Sequence, residues 1–350
     1  MKSISILIAA RNEAANILDC LRSVEALSYA KENLQILVGN DASEDDTAAI
    51  VRDFIADKPH FKLIDIKPCE LKSLRGKTNV LAQLAQHATG EFLFFTDADI
   101  EVPVDWIQNM LAAFKPNVGV VTGITTMKPN TLGGFLGSFQ GLEWLYYLSL
   151  VRLFSLFDVP ITAMGNNMAV TRRAYDAVGG YENIPFSITE DYALFQAILA
   201  KGFRFVQLFD RRVLTISKPI PTFGQLLVQR KRWMYGAMSL PWKQRIGVYV
   251  NGLLLPTLLI IGYFDPKMAL TLAVIGYIVA TAWLAGGLSW LQQTRLWAAL
   301  PLFWFYHIFT NFAMFIYFYT AKKTVWKGRS YSVVVFLCCG GWGCGDMVLW

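Results

Sequence analysis

Phe92-Leu93-Phe94-Phe95-Thr96-Asp97-Ala98-Asp99 is the stretch on which the fold turns. Four apolar residues in a row, with no polar alternation, mark a strand buried on both faces, as in parallel sheets covered by helices. The run stops at two carboxylates separated by one small residue. Ligands of open α/β sheets bind beyond the carboxyl ends of the strands, so two acidic groups are expected at the ligand rim. Two carboxylates and a substrate phosphate are an ordinary oxygen ligand set for Mg²⁺ or Mn²⁺. A metal at Asp97 and Asp99 would stabilise a departing nucleotide diphosphate by Lewis-acid action. Asp after a strand is also common turn chemistry, so the pair needs support from elsewhere in the chain.

Outward from this strand, the runs Ser3–Ala9, Leu34–Val38 and Phe61–Ile66 predict three more buried strands. Helix-like stretches, Glu13–Leu27, Asp45–Asp57 and Lys77–His87, alternate with them. That alternation predicts a mostly parallel, Rossmann-like α/β sheet. Arg11-Asn12-Glu13 and Asn40-Asp41-Ala42-Ser43 follow two of the strands, so polar groups gather at one rim. Neither GxGxxG nor GxxxxGK[ST] follows any strand, which disfavours a dinucleotide oxidoreductase or a P-loop NTPase. The first apolar run is short and stops at Arg11, as a buried strand does and a signal peptide does not. The five cysteines have no zinc-like spacing and no even framework, so reduced thiols in a cytoplasmic domain are expected.

Composition divides the chain. Of its 350 residues 54% are hydrophobic and only 17% charged, and the mean hydropathy is +0.38, too apolar for a wholly soluble enzyme. An aromatic content of 14% excludes disorder. After Arg245 the charged residues are Lys267, Arg295, Lys322, Lys323, Lys327, Arg329, Asp265 and Asp346 alone. Apolar stretches fill that region: Gly247–Phe264, which contains Pro256, then Met268–Trp290 and Leu296–Thr320. The last two are long enough to cross a hydrocarbon core of about 30 Å. The net charge of +6 comes from clusters beside these stretches and not from a long basic run, which favours anionic headgroups over nucleic acid. With the catalytic domain cytoplasmic, Lys322–Arg329 predicts an even number of crossings by the positive-inside rule. Thr131–Val159 is expected as an interfacial helix, with a core helix as the alternative. The division expected is residues 1–245 as the soluble domain, 246–330 as membrane helices, and 331–350 as a tail to which no role is given.

Two further motifs carry chemistry. Thr189-Glu190-Asp191 opens an amphipathic run, Tyr192–Ala200, and is expected to start a helix with Thr189 as its cap and the two carboxylates at its positive end. A carboxylate fixed there can also serve as a general base. Gln229-Arg230-Lys231-Arg232-Trp233 precedes the membrane region. It suits interfacial anchoring, or phosphate neutralisation by Arg232 with Trp233 as an apolar platform for a sugar.

In this order, Asp97-Ala98-Asp99, Thr189-Glu190-Asp191 and Gln229-x-x-Arg232-Trp233 followed by apolar spans resemble the membrane-bound family 2 glycosyltransferases, over roughly residues 3–330. That family includes cellulose, chitin and hyaluronan synthases and ceramide glucosyltransferases. The resemblance implies a GT-A catalytic domain followed by transmembrane helices. It also implies a UDP-linked nucleotide-sugar donor, with Mg²⁺ or Mn²⁺ held by Asp97 and Asp99. Asp191 would be the base, with Glu190 beside it. Asn12, Glu13, Asp41 (on uracil), Lys77, Asp97, Gln229 and Arg232 would bind the donor, and Trp233 and Asn166 the acceptor. The implied reaction inverts the anomeric centre onto a lipid or saccharide acceptor, at a multi-pass cell-membrane enzyme of envelope biogenesis. Ala9 stands where the family has its first proline, and Asn40 where it has an aspartate. A processive polysaccharide synthase is the nearest rival. A transport protein is remote, because the apolar stretches offer only His307 and Asn311 mid-span, which are expected to be helix contacts.

Overall fold

Strands buried on both faces must lie inside a sheet, and the four apolar runs do so side by side. The computed structural model describes residues 2–71, 74–128, 135–238, 240–321, 324–326 and 329–331. Strands β1 (Ile4–Ala10), β2 (Leu34–Asn40), β3 (Phe61–Asp65) and β4 (Phe92–Asp97) are parallel. Next in the chain come β5 (Ile100–Glu101), β6 (Val118–Thr122), β7 (Ile124–Met127), β8 (Met168–Thr171), β9 (Arg204–Gln207) and β10 (Leu214–Ser217). The main sheet has the order β3-β2-β1-β4-β8-β6-β9, with β8 antiparallel to both its neighbours. A smaller sheet has the order β5-β10-β7. Register aligns the rim: Ala9 pairs with Asp97, Ala10 with Asn40, and Asn40 with Asp65.

Successive strand residues point to opposite faces, and each face has its own core. Ile4, Ile6 and Ile8 pack with Val38, Phe94 and helix α1 (Ile17–Glu25). Leu7, Leu37, Leu93 and Phe95 face the other way, and meet residues of later helices. In chain order these helices are α2 (Thr47–Ile55), α3 (Lys77–His87), α4 (Trp106–Leu111), α5 (Phe135–Ser155), α6 (Arg172–Ala177) and α7 (Glu190–Ala200). The second core takes Leu84 from α3 and Phe195 from α7. The first helix begins four residues later than the sequence suggests. Asn12 is left-handed (φ 52), and the Glu13 side chain accepts a hydrogen bond from Asn16 at 2.7 Å, so Glu13–Asn16 form a turn.

One amide joins the two sheets. Asn167 is fully buried; its Nδ2 donates to the carbonyls of Ile124 (2.7 Å) and Val213 (2.8 Å), and its Oδ1 accepts from Trp106 Nε1 (2.9 Å). The neighbouring position must be glycine, because a Cβ on Gly123 would lie 2.5 Å from the Asn167 amide.

The C-terminal helices are α8 (Phe223–Met238), α9 (Trp242–Phe264), α10 (Pro266–Leu291) and α11 (Leu300–Thr320). Among the described residues, three helical segments are long and apolar enough to cross a membrane: Trp242–Phe264, Pro266–Leu291 and Thr294–Thr320. The chain forms two compact units, one of Met1–Pro219 with Val279–Phe303, the other of Ile220–Ile278 with the residues from Trp304 onward. The first unit thus takes in the second half of α10 and the start of α11. Within it, α5 buries more than half of its length, and Trp283 donates to Ser149 Oγ at 2.7 Å. Phe154 in the last turn of α5, and Leu156 and Phe157 just after it, are exposed. In the second unit His307 meets Asn251 at 3.2 Å, and Asn311 donates to the His307 carbonyl at 2.8 Å, both helix contacts as expected. Lys322, Lys323, Lys327 and the 332–350 tail lie outside the described residues.

Asn167→Leu keeps the volume and strands three buried polar partners, each worth about 1–3 kcal/mol. Thermal unfolding of the detergent-solubilised protein should show a loss of roughly 3 kcal/mol or more. An unchanged midpoint would contradict the joining role of Asn167.

Candidate active site

The rim of the main sheet is built from β4 outward. Ala98 is buried, while Asp97 and Asp99 on either side of it are partly exposed. Ser217 at the end of β10 donates to Asp99 Oδ2 at 3.3 Å, and the buried Cys20 thiol lies 3.5 Å from the Asp97 carbonyl. Among the described residues no cluster of three or more His, Cys, Asp or Glu could hold a metal ion. A pair of carboxylates is nevertheless the donor set that Mg²⁺ or Mn²⁺ uses when phosphate oxygens complete the shell, so Asp97 and Asp99 fit such an ion.

Lys77, the first residue of α3, reaches this rim. Its Nζ lies 2.5 Å from Asp97 Oδ1 and 3.0 Å from Glu190 Oε1. Burial by itself would push the ammonium down. The charges of Asp97, Glu190 and Asp191, with the hydrogen bond to Asp97, outweigh burial and raise it above its ordinary value. Lys77 is a fixed positive charge at any working pH.

The third component is the start of α7. Thr189 does not cap this helix as expected; its hydroxyl meets Ser187 Oγ at 3.1 Å, inside the preceding loop. Instead Asp191 is held by backbone donors, with Gly165 N–H to Oδ2 at 2.8 Å and its neighbour Tyr192 N–H to Oδ1 at 2.8 Å. Gly165 must lack a side chain, since a Cβ there would sit 2.7 Å from Asp191 Cβ. Burial pushes the Asp191 carboxyl up to about 6, and the Glu190 charge adds to it. Lys77 and the two N–H donors pull the other way. Tyr181 lies in the second core with its ring edge-on to Phe95 and Tyr175. Its buried hydroxyl has no hydrogen-bond partner among the described residues, and burial, then the charge of Glu190, raises the phenol well above its ordinary range. Gly165 as the support of Asp191 was not legible in the sequence, and Tyr181 carried no motif signal at all.

Two loops beyond β1 and β2 interlock beside this cluster. Arg11 donates to the Asp41 carbonyl at 2.9 Å and faces the Asp41 carboxylate at 3.8 Å. Asn12 Oδ1 accepts from Glu44 N–H at 2.9 Å, and Glu13 N–H donates to Thr47 Oγ1 at 2.7 Å. Asn40 bonds to Asp65 at 2.8 Å and accepts from Ser43 N–H at 3.1 Å. Asn40 therefore works as a loop brace where the family pattern has an acid.

Asp97, Asp99, Lys77, Glu190 and Asp191 thus converge in one unit, with Asn12, Glu13 and Asp41 in the adjoining loops. Asn166 is buried, and its Oδ1 accepts from Thr125 Oγ1 at 3.1 Å. Gln229, Arg232 and Trp233 belong to α8 in the other unit. There the Arg230 guanidinium stacks 4.1 Å from the Trp233 ring centroid, and the buried Lys231 bonds to the Ala321 carbonyl.

Residues 3–335 match the sequence model described as glycosyl transferase family 21. The poly-beta-1,6-N-acetyl-D-glucosamine synthase of Staphylococcus epidermidis is 31% identical over 239 residues, covering 67% of this chain and 55% of that protein. Its Staphylococcus aureus counterpart is 27% identical over 238 residues, with the same coverage of 67% and 55%. The chain spans about half the length of the curated relatives it matches. Among solved structures, the mannosyltransferase PcManGT from Pyrobaculum calidifontis, in complex with GDP-Man and Mn²⁺, superposes with a TM-score of 0.58 at 20% identity, covering 92% of this chain and 88% of that one. That likeness shows a GT-A fold.

Any reaction in which Asp191 accepts a proton requires its ionised form, which predominates only above a pKa of about 6. The kcat/KM profile should therefore fall with unit slope as pH drops below about 6, because kcat/KM reports the free enzyme. A flat profile down to about pH 5 would remove Asp191 from proton transfer.

Proposed function

The chain belongs to glycosyl transferase family 21, and on that premise we propose that it moves a sugar from a nucleotide diphosphate, UDP in the first instance, to a lipid or saccharide acceptor at a membrane surface. The observation that carries this is the joining of Asp97 to Glu190 through Lys77 within one cluster that also holds Asp191. Asp191 takes the proton of the acceptor hydroxyl. The freed oxygen electron pair attacks the anomeric carbon, and the bond from that carbon to the diphosphate oxygen breaks on the opposite side. One displacement inverts the centre, so an α-linked donor gives a β-linked product. Asp97 and Asp99 would hold Mg²⁺ or Mn²⁺, which supplies Lewis-acid stabilisation of the departing diphosphate when bound. The Mn²⁺ in the PcManGT complex supports a divalent ion.

Glu190 keeps Lys77 at the rim, and Lys77 adds a positive charge where phosphate charge develops. Asn12, Glu13 and Asp41 are assigned to the nucleoside end of the donor by the position of their loops. Motif resemblance assigns Gln229 and Arg232 to the diphosphate and Trp233 and Asn166 to the acceptor. The three long apolar helices and the membrane-region resemblance support a multi-pass protein with its catalytic domain on the cytoplasmic side. A second reading, processive polysaccharide synthesis, is favoured by one observation: the staphylococcal relatives are synthases of a β-1,6-linked N-acetylglucosamine polymer.

Membranes containing the protein, incubated with a panel of radiolabelled UDP- and GDP-sugars, separate these readings. Label in the lipid extract is expected for single transfer, and label in insoluble polymer for processive synthesis. No transfer from any donor would reject both. With the donor found, EDTA should abolish transfer and Mn²⁺ or Mg²⁺ restore it. Asp191→Asn should cost about 10²–10⁴ in turnover with donor binding retained. Full activity in excess chelator would remove the metal role of Asp97 and Asp99.

A further inference from the structure

Lys77 engages one oxygen of the carboxylate that an ion held by Asp97 would use. Its ammonium is at hydrogen-bond distance from Asp97 Oδ1, 2.5 Å, and is steadied from the far side by Glu190 Oε1 at 3.0 Å. A Mg²⁺ or Mn²⁺ ion approaches a carboxylate oxygen to about 2.0–2.2 Å. Such an ion on Asp97 would lie within a few ångströms of the ammonium, and two cations that close repel strongly in a partly desolvated cleft. The two charges therefore compete for one carboxylate.

The anchoring of the two partners is unequal. Glu190 is 8% exposed at the start of α7, whereas the Lys77 side chain is 28% exposed and has a flexible four-carbon stem. Lys77 can leave Asp97 while keeping Glu190. A diphosphate brings the negative charge that satisfies the ion and the released ammonium together.

We propose that Lys77 is a resident cation on Asp97 that the divalent ion displaces, with the nucleotide diphosphate receiving the ammonium, so that the ion binds with the nucleotide and not ahead of it. This rests on the glycosyltransferase reading above and adds an order of binding to it. It also gives the resting enzyme a counter-charge for the acidic start of α7 before any donor arrives. The exchange forms and breaks no covalent bond.

The test is Mn²⁺ binding followed by the EPR signal of the free ion, on the full chain in detergent, with UDP or GDP present or absent. Mn²⁺ held by nucleotide in buffer is subtracted. Wild-type protein should take up Mn²⁺ weakly by itself and at least tenfold more tightly with one of the nucleotides. Lys77→Met should bind Mn²⁺ alone at least tenfold more tightly than wild type, and the help given by nucleotide should shrink. Lys77→Arg, which keeps the charge, should stay weak without nucleotide, and Asp97→Asn added to Lys77→Met should reverse the gain. Equal Mn²⁺ affinity of wild type and Lys77→Met without nucleotide, while nucleotide still recruits the ion, overturns the displacement and leaves the glycosyltransferase reading standing. No Mn²⁺ uptake by any form, with or without nucleotide, overturns the metal site and the displacement together. Should Lys77→Met fail to fold, wild type decides alone: Mn²⁺ affinity unchanged by both nucleotides overturns the proposal.

Discussion

The contact on which the site depends is the Lys77 ammonium held between Asp97 and Glu190. It ties the end of β4 to the start of α7, elements separated by more than ninety residues in sequence, and so puts the metal-type carboxylates and the base-type carboxylate in one cleft. Without a cation there, Asp97, Glu190 and Asp191 would repel one another in a place where water screens them poorly. With it, Asp191 can remain partly desolvated beside Glu190, because the ammonium favours its charged form against burial. The lysine is thus as much a condition of the architecture as a contact for a donor.

The sheet makes that contact possible by ending its strands in register. Ala9 opposite Asp97 and Ala10 opposite Asn40 mean that the loops after β1, β2 and β4 leave the core at one level. Apolar side chains on both faces of β1 and β4 fix the register, since a slip by one residue would exchange the contents of the two cores. The smaller sheet is locked to the larger by Asn167, which sits two residues from Gly165. The same short segment therefore braces the fold with one residue and positions Asp191 with another.

Much of this was legible in the residues because hydrophobic periodicity and strand-end polarity are local signals. The four parallel strands, α3 at Lys77–His87 and the long apolar helices follow from runs that could fold in few other ways. The residues of the candidate cluster followed from motifs, each weak alone and informative together. What escaped was non-local. Thr189 reads as a cap, yet its hydroxyl turns to Ser187; the Tyr192 N–H that a cap would use donates instead to Asp191 Oδ1, and Gly165 N–H holds the other oxygen of that carboxylate. No pattern in a single chain announces that a glycine loop will meet a residue twenty-six positions later. The pairing of Lys77 with Glu190, the brace at Asn40 and the two-unit division of the C-terminal helices are likewise properties of packing, and packing was not written in any short window.

The central claim is that Asp97 and Asp191 act as parts of one site in one step. A double-mutant cycle on turnover, comparing Asp97→Asn, Asp191→Asn and the double variant with wild type, tests it directly. Residues that serve a single chemical step lose their effects non-additively. The account predicts that the double variant is about as slow as the slower single variant. Losses that multiply across the two positions would mean separate sites or separate steps, and would contradict it.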